Sequence, residues 1–448
     1  MNKASITKLT VFIFAAISLT ACSSKTRTVA EPPLSPQAVA VPPSENIRAN
    51  PTILFLEERI KRDPADFIAL NKLANEYARQ FRESGDAAFL NLALRAARKS
   101  LKIMPAEFNL DGLLALAQAE YSSHDFTAAR VHAEQLASLE PAKGYTYHLL
   151  GDALLELGEY KRADEAFKKM AEFGGIQPVT LIAMEQRLAH WAMLNGDTPT
   201  ATIHLNNALK LAKSPPGVPL ETIAFCNWQL GEAAFMRGDY VAAEKYYTAA
   251  LKLIPDYYRA VASQGRILAS RGDLPGAIKT YEGVVKRLPD LNYVAALGDL
   301  YMQSGRHADA HSQYALVEQI GRLQQTTGLL YNRQLALYYA DHDLKPDEAY
   351  SMAVSEYQIR KDIYGADTVA WTAYKAGRLA EARMAIKEAL QLGTRDARLF
   401  YHAGLIARAS GDKVEAEKMI GLALRLNPKF DLLQAENARM VFSELRKQ

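Results

Sequence analysis

Between Asn227 and Pro289 small, aromatic and proline positions recur in two stretches of equal length. Set as two rows of 34 residues, from Ala224 and from Tyr258, they align Gly231 with Gly265, Gly238 with Gly272 and Ala243 with Ala277. Tyr247 then falls over Tyr281, Ala250 over Val284 and Pro255 over Pro289. Two antiparallel helices per row would account for these columns. Small residues at columns 8 and 20 let the two backbones approach, and the aromatic at column 24 fills the space towards the next unit. Proline at column 32 ends the second helix, since it has no N–H for the helix interior and is tolerated in the next first turn. One such pair cannot bury its own apolar face, so units stack. No long period-two pattern of a strand appears anywhere.

This 34-residue period, with small residues at 8 and 20, an aromatic at 24 and proline at 32, resembles the tetratricopeptide repeat. The resemblance covers roughly residues 53–447, strongest at 224–289 and 397–428 and weakest at 320–362. A starter helix is expected over Ile53 to Ile60. Units follow from near Phe67, Leu110, Gly144, Ile182, Ala224, Tyr258, Leu291, Leu329, Ile363 and Ala397. The first is expected to carry about seven extra residues in its turn, around Glu83 to Asp86. The eighth is expected to hold one extra near Asp341-His342-Asp343. The resemblance implies an all-α fold: a right-handed superhelical solenoid of about ten helix pairs over residues 52–428. Residues 429–448 would form a C-terminal helix over the last open face.

In that family the first helix of each pair lines the concave face. The matching columns hold Tyr121, Tyr145, His148, Gln186, His190, Trp228, Glu232, Arg259, Arg266, Arg333, Trp371 and Tyr374. Tryptophan, tyrosine and arginine are the residue types that anchor protein interfaces. The two-carboxylate clamp of chaperone-binding relatives is not reproduced.

The front end reads differently. Lys3 and Lys8 precede an apolar run, Leu9 to Thr20, too short to span a bilayer and suited to a secretory signal core. It ends in Leu19-Thr20-Ala21-Cys22, which resembles a bacterial lipobox. That likeness implies cleavage after residue 21, a diacylglycerol thioether on Cys22 and an acylated (palmitate-type) amino terminus, enough chains for stable anchoring. Ser23 in place of aspartate implies sorting to the periplasmic face of the outer membrane. Residues 22–51 hold six prolines and no glycine, the composition of an extended tether. At ~3 Å per residue it reaches roughly 80–90 Å.

Charge and chemistry narrow the function. The net charge is +3; without Lys3 and Lys8, 51 basic side chains face 50 acidic ones. No basic excess exists to draw nucleic acid, and none is expected as a partner. There is no P-loop, GxGxxG, HExxH or GxSxG, so neither catalytic residues nor a cofactor are expected. With Cys22 lipidated, Cys226 is left alone between Phe225 and Trp228 and reads as a small buried residue. His307 and His311 share a helix face but lack a third ligand, and no metal site is assigned.

The sequence therefore points to a non-catalytic, membrane-anchored adaptor that grips a polypeptide in its concave groove. Lipoproteins of this architecture resemble components of outer-membrane protein, pilus, secretion-pore and polysaccharide-export machineries and of cell-wall synthase control. The alternative is an envelope enzyme, or a carbohydrate or metal binder, built on His148, Asp152 and His190. The oligomeric state is left open.

Overall fold

The computed structural model describes residues 50–175, 177–214, 217–326 and 333–447, which lie in one compact unit. The signal, Cys22 and nearly all of the tether lie outside the described residues; Pro51, assigned to the tether, already opens the first helix.

Among the described residues the chain is all α-helix and turn. Helix α1 (Pro51–Arg62) is followed by ten antiparallel pairs. These are α2 (Phe67–Ser84) with α3 (Ala88–Ile103), α4 (Leu110–Ser122) with α5 (Phe126–Leu139), and α6 (His148–Glu156) with α7 (Tyr160–Phe173). Then come α8 (Pro178–Leu194) with α9 (Thr198–Lys213), α10 (Leu220–Met236) with α11 (Tyr240–Leu253), and α12 (Tyr258–Ser270) with α13 (Leu274–Arg287). The last four are α14 (Leu291–Gln303) with α15 (His307–Thr326), α16 (Arg333–Asp341) with α17 (Pro346–Tyr357), α18 (Ile363–Lys375) with α19 (Leu379–Ala389), and α20 (Ala397–Ala409) with α21 (Lys413–Leu426). Helix α22 (Gln434–Leu445) packs on α21 as the terminal cover.

Local chemistry explains the pairs. The recurrent Gly-Asp of the turns supplies first a residue at positive φ and then an N-cap for the second helix. Asp197, Asp239, Asp273 and Asp412 each accept a hydrogen bond from the backbone N–H three residues on. Such a cap contributes about 1 kcal/mol. The small columns are contacts, as expected: Ala243 is fully buried, and a Cβ on Gly231 would stand 2.3 Å from the Tyr247 ring. Tyr247 itself is fully buried.

Three boundaries differ from the sequence expectation. The extra residues of the first pair make no longer turn; they lengthen α2 to 18 residues, leaving only residues 85–87 between the helices. A helix absorbs added residues without losing backbone hydrogen bonds, whereas a loop leaves them to solvent. Likewise α8 and α10 begin about a turn before Ile182 and Ala224. The third unit does start at Gly144, but as a 3-10 turn (Gly144–Tyr147) that precedes a nine-residue α6. The extra residue of the eighth pair is present, taken up by Asp343 and Lys345 at positive φ.

The pairs also touch at long range with a fixed offset. The turn of pair n meets the end of pair n+5. Added Cβ atoms would clash at 2.6 Å between Gly85 and the Leu288 side chain and at 2.4 Å between Gly158 and the Lys361 carbonyl. A Cβ on Gly196 would stand 2.4 Å from the Gly393 carbonyl, and one on Gly238 would stand 3.1 Å from the Leu426 carbonyl. The same offset from the second turn, at His124, falls on residues outside those described. Successive superhelical turns therefore stack on each other. Part of the seam is apolar: one core cluster joins Phe167, Met170 and Leu194 to Ile363, Ala366 and Leu399.

Candidate functional site: the inner helices

The first helices of pairs 3 to 6 carry the central part of the expected face, and their polar groups bind each other across neighbouring pairs. On α10, Glu232 accepts hydrogen bonds from Tyr247 Oη at 2.6 Å, Ser263 Oγ at 2.8 Å and Arg266 Nη2 at 2.6 Å. The Arg266 guanidinium also lies 4.0 Å from the Phe235 ring centre. Three donors offset the desolvation of Glu232 and hold its carboxyl below the usual range. Trp228 donates its indole N–H to Ser263 at 3.1 Å and stacks on Phe225. The guanidinium of Arg259 sits 5.2 Å from the rings of both Trp228 and Tyr258.

One pair earlier, Arg187 on α8 binds Asp152 on α6 at 2.7–2.8 Å and the His148 carbonyl at 3.3 Å. His148 is buried; desolvation, with Arg187 adding, pushes its imidazole down to about 3. His190 is exposed, yet the protein around it lowers its pKa chiefly by desolvation. Gln186 donates to Cys226 Sγ at 3.3 Å. Cys226 is fully buried and its thiol is pushed up to about 11 by that burial, the inert residue expected.

The remaining expected residues do not share one open face. Tyr121 reaches Glu156 at 3.3 Å, and Tyr145 is bound to Glu140 at the end of the preceding pair. Arg333 is only 7% exposed, clamped by Glu356 at 2.9 Å and Asp362 at 3.0 Å. Trp371 is 2% exposed; it donates to Asp341 at 2.8 Å and stacks at 4.1 Å on His402. Like the buried His148, these two were expected on the groove surface, and the structure corrects that. Both lie in the part of the array that the core cluster of pairs 2–4 and 8–10 and the cover of α22 enclose. Tyr374, half-buried, stacks on Trp371.

The sequence reading missed the charge chain that crosses the seam: Glu156, Arg360, Asp362, Arg333 and Glu356. Arg360 binds Glu156 at 2.5 Å and Asp362 at 2.8 Å. The alternative site of His148, Asp152 and His190 finds its carboxylate taken by Arg187. Among the described residues no group of three acidic, histidine or cysteine side chains could hold a metal ion, and no helix is long and apolar enough to cross a membrane.

A stack of antiparallel helix pairs with one conserved turn geometry defines a helical-repeat solenoid. The tetratricopeptide-repeat family matches at residues 228–292, 370–429 and, with a second form of the repeat, 145–172. These stretches of the chain carry tetratricopeptide repeats, an architecture that suggests a protein-binding scaffold. No curated protein matches it. Among solved structures it is similar to a tetratricopeptide repeat protein from Parabacteroides merdae, at 16% identity over 59% of this chain and 99% of that one, TM-score 0.33. It is similar to yeast Tom70, at 12% identity over 85% and 96%, TM-score 0.33. A third likeness is to a human IFIT1 dimer with PPP-AAAA, at 14% identity over 68% of each chain, TM-score 0.42.

Proposed function

We propose that this protein is a non-catalytic scaffold, tethered to the bacterial outer membrane through lipidated Cys22, that holds a polypeptide segment against its inner helices within an envelope assembly machine. The observation that carries the reading is the half-buried Trp228–Arg259 stack, set between α10 and α12. Arg259 makes no ion pair among the described residues, so its charge is available to a partner. Beside it lie the ring of Tyr258 and, through Ser263, the Glu232 carboxylate, a mixed polar and aromatic setting that suits a peptide rather than a polyanion. The lipobox-like Leu19 to Cys22 and the proline-rich tether support placement in the envelope.

The test is photo-crosslinking in intact cells from a photo-reactive phenylalanine analogue at position 225, whose ring lies beside Trp228 and leaves Arg259 in place, followed by identification of what is captured. One recurrent envelope protein is expected. Capture no different from that at exposed Lys245 would overturn the reading.

A further inference from the structure

A cavity of about 170 Å³ opens at the seam between pairs 4–5 and pairs 9–10. Two contacts frame it. On one side Thr394 donates its hydroxyl to the Leu194 carbonyl, and on the other Asn427 donates to the Phe235 carbonyl at 2.8 Å. The cavity is therefore a product of superhelical stacking and is held open from both ends.

Its lining has two characters. Met193, Leu194, Ala233, Met236 and Leu426 make an apolar bed, with two methionines able to adapt to a ligand's shape. The polar lining includes Arg237, Arg395, His190 and Tyr364, and no acidic side chain. Arg237 makes only a long hydrogen bond to Thr202, at 3.3 Å, and neither arginine forms an ion pair among the described residues. Arg395 is exposed, and its Cγ lies against the fourth turn, 3.4 Å from where a Cβ on Gly196 would stand.

We propose that this seam cavity binds a small amphipathic monocarboxylate, an aryl or short alkyl body on the methionine-lined bed with its carboxylate between Arg237 and Arg395. Size supports an aryl body, because a dry cavity of about 150 Å³ is enough for benzene. Charge supports the carboxylate: two arginines without counterions border an apolar bed, and guanidinium pairs with carboxylate through two parallel hydrogen bonds. Small-ligand sites generally combine such a bed with a few placed polar groups. The site is separate from the Trp228–Arg259 surface and does not depend on that surface's binding role.

The experiment is calorimetric titration of the full-length protein with 3-phenylpropionate at neutral pH. Saturable binding is expected, at least tenfold weaker for 3-phenylpropionamide, which keeps the body and loses the charge. Arg395→Gln, at an exposed position, is expected to weaken the carboxylate at least tenfold and leave the amide unchanged. Met236→Trp fills the bed and is expected to abolish both while the melting curve stays near the parent's. Absence of saturable binding at millimolar ligand, or equal affinity of the parent and Arg395→Gln, would overturn the proposal. If Met236→Trp fails to fold, the Arg395→Gln comparison decides alone.

Discussion

Glu156 and Arg360, 204 residues apart in the chain, meet at 2.5 Å across the seam between two superhelical turns. The chain of charges they belong to holds three carboxylates (Glu156, Asp362, Glu356) against two guanidiniums (Arg360, Arg333) in a partly dry space. Burial, opposed by Arg360 and reinforced by Asp362, pushes the Glu156 carboxyl up to about 7. A folded-state pKa above the unfolded one means that the folded state binds the extra proton. The stability this proton contributes is complete below the unfolded value near 4.5 and is lost as pH rises through about 7. Comparing parent with Glu156→Gln by denaturant unfolding at pH 5 and pH 8 isolates this group from other carboxyls. Glu156→Gln is expected to lose less stability than the parent over that interval; equal losses would show that Glu156 does not titrate there.

Arg360→Met leaves two carboxylates facing each other without their shared cation. Breaking a buried pair in this way costs about 3 kcal/mol, at the low end for such pairs because both partners keep some exposure. The double change Glu156→Gln with Arg360→Met is expected to recover part of that loss. A double variant no more stable than Arg360→Met alone would show that the pair is not the seam's link.

Asn427 is a second tie, 2% exposed, donating to the Phe235 carbonyl and accepting from Tyr240 Oη at 2.6 Å. Asn427→Ala removes both hydrogen bonds, at about 0.5–1.5 kcal/mol each, while the Phe235 carbonyl keeps the Gly238 N–H at 2.9 Å. Because the tie joins pair 5 to pair 10, hydrogen exchange is expected to quicken in α10 and α11 as well as α21. Faster exchange confined to α21 would mean that the two turns unfold independently, as in a solenoid of nearest-neighbour contacts alone.

Much of this was legible in the sequence, and the limit has a physical origin. Column 8 predicted a contact without room for a side chain, and Gly231 sits against the Tyr247 ring. Ala243→Leu is therefore expected to overpack pair 5 by about 1–3 kcal/mol, while exposed Lys245→Ala stays within about ±0.5 kcal/mol. Equal melting shifts would refute this register. Column 15 shows where reading stops. Gly238 and Gly272 occupy the same column with φ of 74° and 84°. Yet Gly238 meets the Leu426 carbonyl, and nothing lies within 4 Å of a Cβ on Gly272. The local pattern fixes backbone conformation and facing direction, whereas the partner five pairs away depends on superhelical pitch. Arg333 and Trp371 escaped the reading for the same reason: their columns point inward, and the stacked array covers them.

The anchor proposal has its own test. Cys22→Ser removes the thiol that would carry diacylglycerol, so labelling with an alkyne fatty acid is expected to fall to background. The precursor should then run larger by its uncleaved signal. Labelling of Cys22→Ser equal to the parent's would exclude lipidation at this residue.

The binding proposal turns on which inner residue can be removed without damage to the fold. Arg266 cannot be, because Glu232 would lose the cation that holds it ionised in a partly buried site. Trp228 is also held, by Ser263 below and Phe225 beside it. Arg259 is different: its guanidinium lies over the Trp228 and Tyr258 rings and makes no ion pair among the described residues, so its truncation strands no buried charge. Arg259→Ala is expected to melt close to the parent, giving up about 0.5–1 kcal/mol of cation–π contact. If Arg259 anchors a polypeptide, the same change costs 2 kcal/mol or more in binding, roughly a thirtyfold loss of affinity for the crosslinked partner. Arg259→Lys keeps the charge but loses planar stacking and is expected to fall between the two. A stable Arg259→Ala variant that binds the partner with parental affinity would move the binding surface away from α10 and α12.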